Sequence, residues 1–288
     1  MATIWQLIDA KADEIPDRTL FIAEDDSSIT YGEFRDRAER LAAGLHAAGV
    51  GSGTRVTWQL PSCIPTVLVT AALARLDAVQ SPVLHLYREK ELGFVMRHTG
   101  AEVCIVPDEW KGFDYAGMAR KLAEGMDPSP RVITLEELTE GDPSTLPPPA
   151  SFPDGEVPIR WIYCTSGTTS DPKGVQHTDG TLLAGGRGLA DALQMTPDDV
   201  GSIAFPFAHV AGPDYLVMML LSGMSAVIVE AFSPSDAVEL YRRHGVTMAG
   251  GATAFYQMFL AEQRKQPGEP IIPTLRALSG GGAPLPPE

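Results

Sequence analysis

Thr165-Ser166-Gly167-Thr168-Thr169-Ser170-Asp171-Pro172-Lys173-Gly174 carries more information than any other stretch of the chain. Its hydroxyl side chains, glycines and single lysine can together surround an anion. Gly167 and Gly174 let successive backbone N–H groups turn inward, the hydroxyls add donors, and Lys173 adds a point charge suited to phosphate. Trp161-Ile162-Tyr163-Cys164 just before it is apolar enough for a buried strand. The loop is therefore expected at the carboxyl end of a sheet, where α/β folds place ligands. By composition alone, such a Gly/Ser/Thr cluster is more often an ordinary surface turn. The segment is not a Walker A loop, because the spacing from Gly167 to Lys173 is wrong and no Gly-Lys-Ser/Thr follows. Gly185-Gly186-Arg187-Gly188 lies inside a helical pattern and makes no dinucleotide fingerprint.

On either side of this loop, strand-like and helix-like segments alternate. Leu20–Ala23 reads as a strand, and Thr30 with Glu33 forms a capping box before a helix that Gly49 stops. Strands are predicted at Arg55–Leu60, Val79–Leu84 and Glu102–Pro107, with helices at Ile64–Leu76 (largely buried) and Glu89–His98. Beyond the loop, helices are predicted at Thr181–Met195, Asp214–Ser222, Ser235–His244 and Thr253–Lys265. Strands fit Ser202–Phe205, Ala226–Glu230, Val246–Ala249 and Leu275–Ser279. This alternation predicts an α/β fold of mostly parallel sheets flanked by helices. Prolines crowd the stretch from Gly141 to Pro158, which suits an exposed loop or a linker. It is taken as the boundary between a sub-domain at 1–150 and a second at 151–288.

At 288 residues and 44% hydrophobic content, the chain can bury a sizeable core. A net charge of −15 argues against nucleic acid as a partner. Cys63, Cys104 and Cys164 show neither zinc spacing nor a disulfide framework, so buried thiols are expected. No signal peptide is visible, and Ile64 to Ala74 is too short for a membrane span, which needs about 20 residues. A soluble cytoplasmic protein is expected; oligomeric state has no sequence signal.

Two further segments carry possible chemistry. Phe205-Pro206-Phe207-Ala208-His209-Val210-Ala211-Gly212 follows a predicted strand and could wall an apolar cavity with His209 at its mouth. A lone histidine at a strand end is more often a packed, hydrogen-bonded residue. Ser279-Gly280-Gly281-Gly282-Ala283-Pro284-Leu285 ends another predicted strand, and its bare backbone would let a flat ring lie on it.

The order Tyr-x-Thr-Ser-Gly-Thr-Thr-x-x-Pro-Lys-Gly, running from Tyr163 to Gly174, resembles the phosphate-binding signature of the adenylate-forming superfamily. That superfamily includes acyl-CoA synthetases, luciferases and peptide-synthetase adenylation domains. The His209 segment resembles the family stretch whose histidine gates the carboxylate pocket. Gly281-Gly282-Ala283-Pro284-Leu285 resembles the stretch that packs on adenine. Thr30-Tyr31-Gly32-Glu33-Phe34 and Pro82–Tyr87 match family scaffold, so the likeness runs along nearly the whole chain. Ser170 and Asp77 stand where the family usually has glycine, and Thr253 where it usually has proline.

The resemblance implies an ATP-dependent acyl-CoA synthetase. A carboxylic acid attacks ATP to give acyl-adenylate and pyrophosphate; CoA then yields acyl-CoA and AMP. Thr165, Ser166, Gly167, Thr168, Thr169 and Lys173 would hold the ATP phosphates, with Lys173 also counted as catalytic. Gly281, Gly282, Ala283 and Pro284 would meet adenine. His209, Gly212 and Gly251 would meet the acid, with His209 the catalytic gate. The family's Mg²⁺ ligand, ribose-binding aspartate and adenylating lysine belong to later motifs, expected beyond Glu288. The resemblance thus implies the N-terminal portion of a longer synthetase, unable to ligate acid to CoA alone. A carrier-protein-loading adenylation enzyme and a non-catalytic nucleotide- or acyl-binding module remain alternatives.

Overall fold

The computed structural model describes residues 2–152, 158–165 and 173–281, with Thr165 described in its backbone only. The chain opens with α1 (Ile4–Glu14), β1 (Thr19–Ile22), β2 (Ser28–Thr30) and α2 (Tyr31–Ala47). Then β3 (Arg55–Trp58), α3 (Ile64–Arg75), β4 (Val79–Pro82), α4 (Glu89–Thr99) and β5 (Val103–Val106) alternate. A hairpin of β6 (Glu109–Trp110) and β7 (Phe113–Asp114) leads into α5 (Tyr115–Glu124) and β8 (Arg131–Thr134). Next come β9 (Ile159–Thr165), β10 (Lys173–Thr178), α6 (Asp179–Ala192), β11 (Val200–Ile203) and α7 (Ala211–Ser222). The described part closes with β12 (Ser225–Ile228), α8 (Pro234–Arg243), β13 (Met248–Gly251), α9 (Thr253–Lys265) and β14 (Ala277–Gly280).

These strands build a six-stranded sheet, β10-β9-β4-β3-β5-β8, and a four-stranded sheet, β11-β12-β1-β2. Both are parallel except at one edge, where β10 and β2 run antiparallel to their neighbours. β13 and β14 form a parallel pair. The expected α/β architecture is what the chain adopts. Each large sheet, however, draws strands from both sides of residue 150: Gln80 lies beside Trp161, and Phe21 beside Ala226. The division into 1–150 and 151–288 therefore does not separate one sheet from the other. The first part of the proline-rich stretch is strapped down rather than free. Gly141 N–H donates to the Arg40 carbonyl at 2.8 Å, and the buried Arg75 donates to the Pro147 carbonyl at 3.0 Å.

The Thr30–Glu33 capping box is present in both directions, and α2 buries Phe34, Ala38, Ala42 and Leu45. α3 is buried on nearly every side; the hydroxyls of Thr66 and Thr70 return to the Pro61 and Thr66 carbonyls, so no polar group there is wasted. α1 was absent from the sequence reading. Its signal was a second capping box, Thr3 with Gln6, followed by Ile4, Trp5, Ile8 and Ala12 on one face. β13 runs two residues past the expected end because Gly250 and Gly251 pair with Ser279 and Gly280 instead of breaking the strand. Asp77 keeps the left-handed backbone that glycine would favour, with φ 58°. Its carboxylate gains Arg160, through Nη2 at 2.6 Å, and the Ser52 hydroxyl at 2.7 Å, which ties the entry of β4 to β9. Thr253 opens α9, a first-turn position where proline also fits. All three cysteines are free, but full burial holds for Cys104 alone, whose thiol is pushed up to about 12; Cys63 and Cys164 are half-buried. Among the described residues, no helix is long and apolar enough to cross a membrane.

Candidate acid-binding and nucleotide site

β9 parallels β4 and ends at Thr165, so the hydroxyl-rich segment does leave the carboxyl edge of the six-stranded sheet. The chain then returns antiparallel: Lys173 lies opposite Thr165 and starts β10. This strand was not expected, since its alternation is short and follows a proline and a glycine. Lys173 is exposed at the hairpin's edge. Ser166, Gly167, Thr168 and Thr169, predicted to bind phosphate, lie outside the described residues, as do Gly282, Ala283 and Pro284 from the adenine-like segment.

A cavity of about 440 Å³ opens at the carboxyl ends of β11, β13 and β14. Its walls come from Leu189 of α6 and Leu193 just past its end, from Phe205 and Pro206 after β11, and from Phe255 of α9. Ala211, Tyr215 and Met218 face it from α7, spaced at the helical repeat. Gly250, Gly251, Ser279, Gly280 and Gly281 form the side made by β13 and β14. Three predicted residues, His209, Gly251 and Gly281, thus converge on one space. No charged side chain lies among its described lining residues.

Gly251 has φ +148°, and a Cβ there would stand 2.7 Å from the Phe255 ring. Only glycine combines that backbone with that contact. At Gly281 a Cβ would meet nothing within 4 Å among the described residues. Gly212, predicted to touch the acid, does not line the cavity. It lies buried in the first turn of α7, where a Cβ would come within 2.1 Å of the Phe207 carbonyl oxygen. Along α7, Met218 lines the cavity, whereas Met219 and Leu220 are core. Leu84, after β4, and Tyr215 also line it and were not predicted. Tyr215 was hidden because its i, i+4 relation to Ala211 is visible only once α7 begins at Ala211 rather than Asp214.

His209 is exposed at the cavity. Its Nδ1 accepts the Ala211 N–H at 3.3 Å, which leaves the proton of the neutral ring on Nε2. Partial burial lowers its pKa, so the ring is neutral at pH 7 and offers one Nε2–H donor. Asp214, one turn into α7, behaves oppositely. Burial pushes its carboxyl up to about 6, and its Oδ1 has no hydrogen-bond partner among the described residues. The hydroxyl of Tyr163 is equally unpartnered there, and its pKa is raised by burial and by the Asp214 charge.

The family model that matches this chain is that of AMP-binding enzymes, over residues 8–288. The chain belongs to the AMP-binding enzyme family. Among curated relatives, it is 30% identical to a salicyl-AMP ligase / salicyl-S-ArCP synthetase of Mycobacterium tuberculosis, aligned over 90% of this chain and 47% of that protein. It is 27% identical to a medium-chain fatty-acid–CoA ligase of Escherichia coli, over 99% of this chain and 51% of that one. The chain thus spans about half the length of these relatives. Solved structures share the fold. A long-chain-fatty-acid-CoA ligase from Archaeoglobus fulgidus superposes with TM-score 0.83 at 22% identity, covering 99% of this chain and 58% of that one. The O-succinylbenzoate coenzyme A synthetase of Bacillus subtilis in complex with AMP gives 0.81 at 23%, covering 98% and 68%. The chain is therefore a domain of this family, built of mostly parallel sheets flanked by helices.

Proposed function

We propose that this chain supplies the acid-binding cavity and part of the nucleotide site of an AMP-forming acid–thiol ligase of the acyl-CoA synthetase type. The observation that carries this reading is the convergence of His209, Gly251 and Gly281 on one apolar cavity at the strands' carboxyl ends. The body of a carboxylic acid enters the cavity, where burying each CH₂ is worth about 0.8 kcal/mol. With no described carboxylate in the lining, an α-ammonium group would sit unpaired, so the acid favoured is one without a second charge. The acid's carboxylate lies at the mouth and accepts the Nε2–H of His209. A neutral donor orients the carboxylate without trapping it as an ion pair and leaves its oxygen nucleophilic.

ATP, when bound, supplies the electrophilic α-phosphorus and pyrophosphate as leaving group. No described atom crowds Gly281, which suits a flat base resting on its backbone, and by the resemblance Gly282, Ala283 and Pro284 would share that contact. Thr165 and Lys173, facing each other where the hairpin opens, frame the segment Ser166, Gly167, Thr168 and Thr169 for the phosphates. Lys173 would neutralise charge developing on pyrophosphate. The described cavity lining contains no carboxylate, so the Mg²⁺ ligand is assigned to none of these residues. CoA is the proposed thiol acceptor and the cytoplasm the proposed compartment. A carrier-protein thiol is the second reading, favoured by the relative named a salicyl-S-ArCP synthetase.

Alone, the 288 residues are proposed to bind acid without ligating it. The test combines acid binding by the purified chain with a search for acyl-CoA and AMP as products. Robust formation of both would overturn the binding-only reading. Failure of every apolar monocarboxylate to bind the folded chain would overturn the cavity assignment. In the longer enzyme, Lys173→Ala is expected to weaken ATP–pyrophosphate exchange, and unchanged exchange would remove Lys173 from the phosphate site.

A further inference from the structure

Ser62 lies between the end of β3 and the start of α3, and it is 2% exposed. Its hydroxyl is used twice, and both partners lie more than 140 residues away in sequence. The Oγ accepts the Phe207 N–H at 2.8 Å and donates to the Phe205 carbonyl at 3.1 Å. One side chain from the carboxyl edge of the six-stranded sheet therefore holds both ends of the Phe205–Phe207 backbone, which leaves the carboxyl edge of the four-stranded sheet. Phe205 and Pro206 line the cavity directly. From there the constraint passes on: His209 N–H donates to the Pro206 carbonyl at 3.0 Å, and Gly212 N–H donates to the His209 carbonyl at 2.8 Å. The missing Cβ of Gly212 lets α7 press against the Phe207 carbonyl from the other side.

We propose that Ser62 is a positioning residue for acid binding, which fixes the Phe205–Phe207 backbone and thereby sets where His209 stands at the cavity mouth. This inference rests on the reading of His209 as the donor to the acid's carboxylate. Ser62 itself touches no substrate. A serine suits the place because its hydroxyl can accept and donate at once within a buried gap, which alanine cannot do. Removing it would leave a buried N–H and a part-buried C=O without this partner.

The test uses amide exchange and NMR on the whole 288-residue chain, with octanoate as the probe acid. In the unmodified chain, the Phe207 amide is expected to exchange as slowly as the paired amides of β11; loop-like exchange would overturn the clamp. Ser62→Ala is expected to speed Phe207 exchange about tenfold and to weaken octanoate binding about tenfold, the cost of one lost buried hydrogen bond. The His209 ring should then titrate closer to the ordinary histidine value as water reaches it. Ser62→Thr, which keeps the hydroxyl, should restore all three properties. On a His209→Ala background, Ser62→Ala should change octanoate affinity by less than about twofold, since its effect passes through that ring. Additive losses would overturn the positioning role. If His209→Ala alone leaves octanoate binding unchanged, the carboxylate reading of His209 falls, while Phe207 exchange and the His209 titration still judge the clamp. Should Ser62→Ala not fold, Phe207 exchange in the unmodified chain and the Ser62→Thr variant decide.

Discussion

The two ends of the strand group β11, β13 and β14 are built on opposite principles. At the amino end, one buried carboxylate gathers several partners. Asp199 is 4% exposed, and it accepts from Arg276 Nη2 at 2.6 Å and Nε at 2.7 Å, from the Thr247 hydroxyl at 2.7 Å, and from Thr196 N–H at 2.9 Å. Arg276 also reaches the Leu193 and Gln194 carbonyls, so one ion pair fastens β14 to β11 and to the end of α6. At the carboxyl end lie a cavity, bare glycine backbone and a neutral histidine, and the first turn of the adjoining α7 holds a carboxylate oxygen with no partner among the described residues. The densest polar pairing of this strand group thus lies at the end away from the cavity. The other end leaves its polar groups uncommitted, as a site must if a substrate is to satisfy them.

The largest test of this contrast is Arg276→Ala, which strands a buried carboxylate. A loss of about 3 kcal/mol at pH 7 is expected in denaturant unfolding. Burial alone would raise the Asp199 pKa, but Arg276, Thr247 and Thr196 outweigh it and hold the carboxyl well below the usual range. The stability it provides is therefore present above the unfolded value of 3.8 and is lost as pH falls below it, so the mutational gap should narrow in acid. An undiminished gap at pH 3 would mean the pair acts by packing rather than charge. Next in size, Gly212→Ala forces a Cβ against the Phe207 carbonyl and is expected to cost about 2 kcal/mol while displacing the His209 loop. A neutral result would show that α7 can shift freely at the cavity.

Asp214→Asn should run the other way. A carboxyl raised to about 6 from 3.8 favours the protonated folded state, so its ionisation weakens the fold as pH rises through 6. After discounting for its partial exposure, the amide is expected to stabilise by about 1 kcal/mol at pH 7.5 and by nothing below pH 4. Destabilisation at pH 7.5 would show that Asp214 has a partner in solution. The smallest effect is expected at the exposed Arg120–Glu137 pair, 3.4 Å apart, which touches neither end. Arg120→Ala should stay within about 0.5 kcal/mol of the unmodified chain, and a larger change would weaken the claim that charge matters mainly where it is buried.

Local chemistry made much of this legible in advance. α9 occupies the span predicted for it, and the Thr30–Glu33 box was readable from four residues because its hydrogen bonds are local. His209, Gly251 and Gly281 were singled out through the resemblance of their segments to the adenylate-forming family, since a lone histidine and glycine turns read by themselves as packing; the structure brings the three to one cavity. What escaped depends on distance. Nothing near Ser62 in sequence announces Phe205, and Asp77 looked like a misplaced glycine until Arg160 came beside it. The β10 strand was missed because its partner, not its own alternation, makes it a strand. Gly212 was read as a binding residue although its missing side chain serves α7 packing.

The pairing of Phe21 with Ala226 has a consequence for how the protein is made. β1 emerges early, yet its parallel neighbour is synthesised about 200 residues later, roughly 10–40 s at ordinary elongation rates. Until then the first hairpin has an apolar edge and nowhere to bury it. Such long-range closure slows folding and exposes a strand to wrong partners. A nascent chain halted near residue 150 is thus expected to hold both sheets half-made, to fold only when the rest arrives, and to depend on chaperones in the interval.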